Sequence, residues 1–416
     1  MDFPKMIKIR QKINDECVKD IKKYFKKKIA YSSLVSTIKN GDSVAITAGS
    51  RGITDIVPII TILVEELKKL NAKPFIIPAM GSHGGATAEG QSLVLSEYGI
   101  TQKTIGAPIY SSMEVVKLGE TKSGIPVYID KIAKNANHII VVNRIKSHTE
   151  FFGKIESGLI KMLVVGLGKH KGALTMHSYA VKFGYEKTLT DIEKVILENA
   201  PISLGIGIIE NGYRKTYSIE CIEPDDFIDK EKLLLGIAKK ITPKLPFEKI
   251  DVLIVDEAGK DISGTGMDTK VIGRIRNIYE KELTKPRITR IVLRGLTKKT
   301  NGNAIGVGLA DFITKSLADE IDMKATFVNT VTAVTPEKGR LPLICDSDKE
   351  AIENAFATAG PIGSKKIRMV RIKNTSELSE MYISEGLLDE VNKQPNIEII
   401  SKGAKLEFSE EGQIIG

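Results

Sequence analysis

Two stretches near the start of the chain decide the fold: SVAITAGSRGITDI, residues 43–56, and KPFIIPAMGSHGGAT, residues 73–87. Each begins with a short apolar run, continues into a glycine-rich turn and then enters a segment with helix-capping residues. Such repeated strand–turn–helix units predict parallel strands, whose carboxyl ends gather ligands at one edge of a sheet. Arg51 and His83, one in each turn, are therefore expected at the same edge.

The chain of 416 residues exceeds the length of one hydrophobic core, so two domains are expected. A proline-bearing linker, ITPKLPFEKI at residues 241–250, marks the boundary between them. We expect two α/β domains with parallel-rich sheets and a cofactor cleft between them. The first, residues 1–245, would bind the cofactor and carry out catalysis, and the second, residues 246–416, would close the cleft. The tail KLEFSEEGQ predicts an edge strand, in the second domain or back on the first.

The second domain has strand patterns at DVLIVDEAG, ITRIVLRGL and KIRMVRIKN, which begin at residues 251, 288 and 366. Helices are predicted over residues 304–318 and 346–358.

Composition excludes several classes of protein. The net charge of +9 comes mostly from lysines spread along the chain, without a compact basic stripe that interleaves aromatic residues, so no nucleic-acid partner is expected. Cys17, Cys221 and Cys345 are isolated, which argues against a disulfide framework and a structural zinc site. No signal-peptide core and no bilayer-length apolar run is present, so a cytoplasmic protein without a membrane partner is expected. The oligomeric state stays open.

The two glycine-rich turns hold the first candidate site residues. In GSRG, the backbone N–H groups of Ser50 and Gly52 and the guanidinium of Arg51 precede a helix, a combination that suits a phosphate. An ordinary strand-to-helix turn with a surface arginine is the alternative. In GSHGG, the glycines around His83 supply little packing, which favours a site role over a buried structural histidine.

A third predicted strand, HIIVVNRIKSH at residues 138–148, ends in two cations and an imidazole. In extended backbone, Arg144, Lys146 and His148 share one face because side chains alternate. Such a face would attract a carboxylate and place a base beside it, so Arg144 and Lys146 are candidate substrate-binding residues. A salt-bridged surface strand is the alternative.

Lys161 lies in the otherwise apolar segment SGLIKMLVVGLG, residues 157–168. Apolar surroundings lower the pKa of an amine and favour its covalent use, although a lysine that extends its amine from a half-buried helix to solvent fits the same pattern. His170 and His177 follow as candidate metal ligands, and any metal would need further ligands.

Taken in order, these segments resemble the nickel-dependent lactate racemase family: a glycine-flanked arginine, a G-S/T-H turn, a second histidine, SGxxK and a final histidine. The resemblance covers most of the first domain. SGLIK stands where members often read SGGRK, and two glycines follow His83 where members often have Arg-Pro. These departures predict a divergent branch that acts on another 2-hydroxy acid, such as a sugar acid.

The resemblance implies a racemase or epimerase that inverts C2 of a 2-hydroxy acid by reversible hydride transfer. Its cofactor would be the nickel-pincer nucleotide, nickel pyridinium-3,5-bisthiocarboxylic acid mononucleotide, made by cofactor-biosynthesis proteins that are the implied partners. By resemblance, Lys161 binds the cofactor, and the two can be joined by a covalent thioamide bond. His177 is the implied nickel ligand, with His170 as its alternative, and Arg51 contacts the cofactor phosphate.

The resemblance also implies that His83 and His148 act as acid and base on the substrate hydroxyl. An unperturbed histidine pKa near about 6.5 suits proton removal and return at neutral pH. In the second domain, GKDISGTGMDTKVIGR loosely matches the family's substrate-facing segment and places Asp268, Lys270 and Arg274 as substrate-binding candidates. A surface loop is the alternative for this segment.

Two other functions compete with a racemase. A non-catalytic family member that binds the cofactor would need neither His83 nor His148. A nicotinamide-dependent dehydrogenase is disfavoured because the chain has no GxGxxG motif and no ribose-binding acid in a clear βαβ unit.

Overall fold

The structure, a computed structural model, describes residues 2–50 and 52–415. The chain divides into two compact units, Asp15–Thr242, and Met1–Asn14 together with Pro243–Gly416. The predicted first domain is therefore corrected at its beginning. The first strand, β1 (Lys5–Gln11), pairs antiparallel with the strand at Glu380–Ser384, so it belongs to the C-terminal unit.

The N-terminal unit, residues 15–242, is built around a sheet with the strand order β3-β2-β6-β7-β8. The strands β3, β2, β6 and β7 are parallel, as predicted, and β8 is antiparallel to β7. The hairpin β4–β5 is separate from this sheet. The bounds are β2 Ser43–Ala48, β3 Lys73–Pro78, β4 Val115–Glu120, β5 Pro126–Asp130, β6 His138–Arg144, β7 Ile202–Glu210 and β8 Thr216–Ile222.

Helices cover both faces of this sheet, which is why its strands are nearly continuous apolar runs. Lys161 ends the shortest helix and continues into a π-helical turn, Met162–Gly166. The helices of the unit are α1 Ile21–Ala30, α2 Leu34–Thr37, α3 Ile56–Lys69, α4 Ala88–Glu97, α5 Gln102–Ile105, α6 Lys131–Lys134, α7 Leu159–Lys161, α8 Lys169–Phe183, α9 Tyr185–Asn199 and α10 Phe227–Ile241. Short 3₁₀ turns lie at Gly84–Ala86 and Pro224–Asp226.

The C-terminal unit has a larger sheet with the order β12-β11-β10-β9-β13-β14-β1-β15, and β16 also pairs with β1. Strands β9 to β13 run parallel to their neighbours in this set, and β14, β1 and β15 are antiparallel. The bounds are β9 Lys249–Val255, β10 Arg287–Leu293, β11 Phe312–Thr314, β12 Leu343–Cys345, β13 Met369–Ile372, β14 Glu380–Ser384, β15 Ile397–Ile399, β16 Ala404–Lys405, β17 Glu407–Phe408 and β18 Ile414–Ile415.

The helices of this unit are α11 Thr269–Ile272, α12 Lys315–Glu320, α13 Met323–Thr332, α14 Asp348–Thr358 and α15 Leu388–Val391. Short 3₁₀ turns lie at Lys298–Thr300, Val307–Leu309, Pro336–Gly339 and Glu385–Leu387. The tail stays with this unit, since β15 and β16 pair with β1 and the end forms the hairpin β17–β18.

The helix predicted over residues 304–318 is wrong in its first half. The chain there forms a 3₁₀ turn and β11 before α12 begins at Lys315. Gly306 has a φ of +95°, and a Cβ atom on it would meet the Thr265 carbonyl oxygen at 1.8 Å. Tertiary contact with another segment therefore replaces helical hydrogen bonding.

Within residues 2–50 and 52–415, no helix combines the length and the apolar character that crossing a membrane requires.

Candidate active site

The carboxyl ends of β2 and β3 bring the two glycine-rich turns together, as their parallel pairing predicts. Ala48 and Pro78 are partners in register, and the turns follow directly. The Ser50 side-chain oxygen hydrogen-bonds with Nδ1 of His83, and the Tyr98 hydroxyl donates to the Ser50 carbonyl at 3.2 Å. The predicted phosphate contact of Arg51 lies outside the described residues.

Buried polar side chains hold the His83 turn through hydrogen bonds to its backbone. Gln91 is fully buried and donates to the carbonyls of Gly81, at 2.9 Å, and His83, at 3.2 Å. Lys169, also fully buried, donates to Gln91 Oε1 at 3.3 Å and pairs with Asp130 at 3.1 Å. Burial lowers the pKa of the Lys169 amine, against the opposing effect of Asp130. Sequence reasoning missed this network because its members are far apart along the chain.

The π-helical turn after Lys161 lies against the same strand end. The Gly81 N–H donates to the Gly166 carbonyl at 3.4 Å, and a Cβ atom on Gly166 would meet the Ala79 carbonyl oxygen at 2.8 Å. A glycine is needed for this approach. π-Helical turns are rare and occur frequently at functional sites. The segment of His83 and the segment of Lys161 are therefore neighbours.

The loop after β6 folds back on itself and carries His148 toward Lys161. Lys146 and Ser157 form an antiparallel bridge, so the predicted extended segment is the first half of a narrow loop. Glu156 is fully buried, and its carboxylate accepts from the His148 N–H at 2.6 Å and pairs with Lys239 at 2.6 Å. The Asn143 side chain donates to the Gly158 carbonyl at 2.8 Å and ties the strand end to the Lys161 turn.

Lys161 and His148 are in direct contact: 2.5 Å separates the lysine Nζ and the histidine Nε2. The other ring nitrogen of His148, Nδ1, accepts from the Glu150 N–H at 3.1 Å. The two side chains are therefore hydrogen-bonded, and the direction of this bond depends on the tautomer of the ring. The contact places the amine of Lys161, a nucleophile in covalent catalysis, beside an imidazole.

A row of aromatic rings connects His148 with His177. The centroid distances are 4.4 Å from His148 to Phe151, 4.7 Å from Phe151 to Tyr185 and 6.1 Å from Tyr185 to His177. Phe151 and Tyr185 are buried, so these rings form an apolar side of the cluster. His148, Lys161 and His177 therefore belong to one cluster of the N-terminal unit.

His177 has the surroundings expected of a metal ligand. Its Nδ1 atom is shielded from solvent without a hydrogen-bond partner in the structure. Burial first, and the charge of Lys161 second, lower the pKa of His177 to about 4, so the ring is neutral at pH 7. A neutral imidazole is the form that binds a metal. His170 is exposed at the start of α8, so these surroundings support the prediction of His177 over His170.

This cluster fits the cofactor that the resemblance implies: an amine for attachment and a neutral imidazole as ligand. No group of three His, Cys, Asp or Glu side chains with metal-binding geometry occurs in the described residues. One protein imidazole is consistent with a metal whose other ligands belong to the cofactor.

Arg144 has a different environment from the one predicted. Its guanidinium pairs with Glu210, which also accepts from the Thr54 N–H at 2.7 Å. Arg144 therefore fixes the end of β6 to the turn after β2. Its predicted contact with the substrate carboxylate remains a prediction.

The candidate substrate-binding residues of the C-terminal unit have hydrogen-bond partners within that unit. Asp268 caps α11 and accepts from the Lys270 N–H at 2.9 Å. Arg274 donates to the carbonyls of Leu309, Ile288 and Thr289 and pairs with Asp311 at 2.7 Å. These contacts give Arg274 a structural role, and its predicted substrate contact remains a prediction.

The fold and the cluster define an α/β protein with a histidine–lysine site at the strand ends of its N-terminal unit. Residues 5–187 match the family model for the lactate racemase N-terminal domain, which confirms the resemblance drawn from the sequence motifs. This part of the chain is thus similar to the N-terminal domain of lactate racemases, and the matched range contains His83, His148, Lys161 and His177.

A solved structure, the lactate racemase apoprotein from Thermoanaerobacterium thermosaccharolyticum, also matches, at 12% sequence identity with a TM-score of 0.46. The match covers 82% of this chain and 100% of that chain. A comparison with curated proteins gave no match.

Proposed function

We propose that the chain is an isomerase that inverts C2 of a 2-hydroxy acid with a nickel-pincer nucleotide held by its N-terminal unit. The observation that carries the proposal is the contact of Lys161 Nζ with His148 Nε2, on the aromatic row that leads to His177. The match to the lactate racemase N-terminal domain supports the same reading.

Two residues are proposed to hold the cofactor. Lys161 offers an amine, the nucleophile that an amide-like bond to a carboxyl-derived group requires. His177 offers a shielded ring nitrogen whose lone pair is available at neutral pH because its pKa is about 4. When bound, the cofactor supplies the hydride acceptor for carbon 2 of the substrate.

His83 and His148 are proposed to move the proton of the substrate hydroxyl. The hydrogen bond with Ser50 fixes the ring of His83 through Nδ1, and the Glu150 N–H does the same for His148. A ring fixed at one nitrogen keeps its tautomer and orientation, which general acid–base catalysis needs. Inversion requires proton handling on both sides of a planar keto acid, and two histidines meet that requirement.

The substrate carboxylate needs a cation, and Lys146 is our first candidate. It lies two residues before His148 and follows the strand end. Arg144 is engaged by Glu210, so we rank it second. Asp268 and Lys270 of the C-terminal unit remain predicted substrate contacts, and cofactor-biosynthesis proteins remain the proposed partners.

The proposal is tested by co-expressing the chain with cofactor-making proteins and measuring its intact mass and nickel content. We expect about one nickel per chain, and a mass adduct that is lost in Lys161→Ala. Lys154→Ala is the matched control, because Lys154 is an exposed lysine in the neighbouring loop. Equal nickel and equal adduct in both variants would contradict the assignment of Lys161.

Chiral chromatography of a panel of 2-hydroxy acids then tests the reaction. Inversion of at least one acid by the nickel-loaded protein is expected. Nickel loading without inversion of any acid in a broad panel would favour the non-catalytic cofactor-binding alternative.

A further inference from the structure

The turn that carries Lys161 lies on a buried carboxyl group from a distant helix. Glu231, on α10, is fully buried. Its Oε2 atom accepts from the Ile160 N–H at 3.0 Å, and the Leu159 N–H also donates to this carboxyl group. These are backbone donors at the start of α7, which have no partner within the helix itself. Glu231 therefore sets where α7 begins and, through it, where Lys161 emerges.

Gly158 shows how closely the carboxyl group fits the turn. A Cβ atom on Gly158 would meet the carboxyl carbon and Oε1 of Glu231 at 2.4 Å and Oε2 at 2.7 Å. The glycine of the SGLIK segment is thus required by the carboxyl group of Glu231, which occupies the space of a side chain. On its other side, the Gly158 carbonyl accepts from Asn143, so the turn is held at two points.

Burying the carboxyl group of Glu231 costs stability. Its Oε1 atom is shielded and has no hydrogen-bond partner among residues 2–50 and 52–415, and the same holds for Oε2 of Glu193, on the adjacent helix α9. Burial first, and the charge of Glu193 in addition, raise the pKa of Glu231 to about 7, although the backbone donors oppose the shift. A glutamine or an apolar residue would avoid this cost. Costly buried acids that persist beside a reactive group indicate a role in the site.

We propose that Glu231 is a positioning residue that holds the Lys161 amine beside His148 by capping α7. The inference rests on the proposed function for the significance of Lys161, but it concerns the geometry of the protein without cofactor. Glu231 touches the backbone of the turn and acts through it. Without this cap, the start of α7 loses two hydrogen bonds and the lysine no longer meets Nε2 of His148.

The test measures how fast Lys161 is acylated by an N-hydroxysuccinimide ester of acetate at pH 8 in the cofactor-free protein. Peptide mass spectrometry gives the ratio of modification at Lys161 to that at Lys103, an exposed lysine on α5. The variants are Glu231→Ala, Glu231→Gln and Glu193→Gln. We expect the ratio to fall at least fivefold in Glu231→Ala. Glu231→Gln keeps it within twofold, because its amide oxygen still accepts from Ile160. Glu193→Gln keeps it as well, because the structure gives Glu193 no bond to the turn.

An unchanged ratio in Glu231→Ala overturns the proposal. A loss in Glu231→Gln or Glu193→Gln equal to that in Glu231→Ala also overturns it, since then burial of an acid, and not the cap, controls the lysine. If Glu231→Ala does not fold, Gly158→Ala replaces it, because an added methyl group displaces the carboxyl group without removing it. The same fivefold fall is expected there, and an unchanged ratio overturns the proposal.

Failure of the proposed function gives a different result. A wild-type protein that takes up no nickel and no adduct would refute cofactor loading, while the acylation ratios of the cofactor-free variants would still decide the role of Glu231.

Discussion

Arg274 of the C-terminal unit and His177 of the N-terminal unit were both predicted site residues, and their surroundings are opposite. The Arg274 guanidinium donates to three carbonyl groups and pairs with Asp311. The Nδ1 atom of His177 is shielded from solvent without any hydrogen-bond partner. The first residue has its hydrogen-bonding capacity used by the fold, and the second keeps a lone pair that the fold does not use.

This difference separates structural from functional polar residues. Buried polar groups in folded proteins are nearly always hydrogen-bonded, so a guanidinium with several partners needs no further explanation. A shielded nitrogen without a partner costs stability, and a ligand that completes it is one explanation for its presence. In the N-terminal unit, the Glu231 carboxyl group accepts from the backbone of the turn that carries Lys161, and the charge of Lys161 acts on the ring of His177.

The largest expected effect tests the functional side of the comparison. His83→Ala and His148→Ala should each lower C2 inversion by about 10²- to 10⁴-fold, because each removes a general acid–base group. Nickel content should stay near the wild-type value. The measurement is chiral chromatography of the substrate identified in the panel, with nickel analysis of the same samples.

His170→Ala is the control for these variants. His170 is exposed on α8, and its loss should leave both inversion and nickel content unchanged. Full activity in both His83→Ala and His148→Ala would refute their assignment. Loss of nickel in His170→Ala would instead restore His170 as the ligand.

The next effect tests the structural side. Arg274→Ala should destabilise the C-terminal unit by about 3 kcal/mol, because it removes an ion-pair partner of Asp311 and the donor to three carbonyl groups. Hydrogen exchange at β10 and β11 under increasing urea measures this loss locally. Exposed Arg340, replaced by alanine, is the control and should shift exchange little. Unchanged exchange in Arg274→Ala, together with a raised KM for the substrate, would return Arg274 to the substrate site.

The sequence was sufficient for the parts of the fold that local patterns encode. The strands that become β2, β3, β6 and β7 are apolar runs that end at polar or glycine-rich turns, and they form the predicted parallel sheet. Their parallel order then places Ser50 and His83 at one edge, because carboxyl ends coincide. Side chains alternate in direction along a strand, and a glycine often marks the strand end. Both features can be recognised in the sequence without knowledge of tertiary contacts.

Long-range partners are what the sequence does not show. The strand β1 reads as the first strand of the first domain, but its partners β14 and β15 lie near the other end of the chain. Glu231 and Glu193 occupy helices in which charged residues usually face solvent, so neither stood out as a buried acid. The signal that could have found Glu231 is Gly158: a glycine before a helix start leaves room for another side chain, although not its identity.

The smallest expected effect concerns Glu193, whose carboxyl group shares the burial of Glu231 but not its hydrogen bond to the Lys161 turn. Burial raises the pKa of Glu193 to about 7, from an ordinary value near 4.5. The folded protein therefore binds a proton that the unfolded chain releases as the pH rises from about 4.5 to 7. The free energy of unfolding falls over this window, and the loss is complete above pH 7.

Glu193→Gln removes this penalty. The variant should be more stable than the wild type at pH 8, by at most about 3 kcal/mol, and close to the wild type at pH 4.5. Urea unfolding of the N-terminal unit, followed at both pH values, measures the difference. Glu198→Gln, an exposed position on the same helix, should show no such difference. If Glu193→Gln is destabilised at pH 8, the carboxylate has a partner whose loss costs more than its burial. Glu193 then resembles Arg274, which has several partners, and not the incompletely bonded His177.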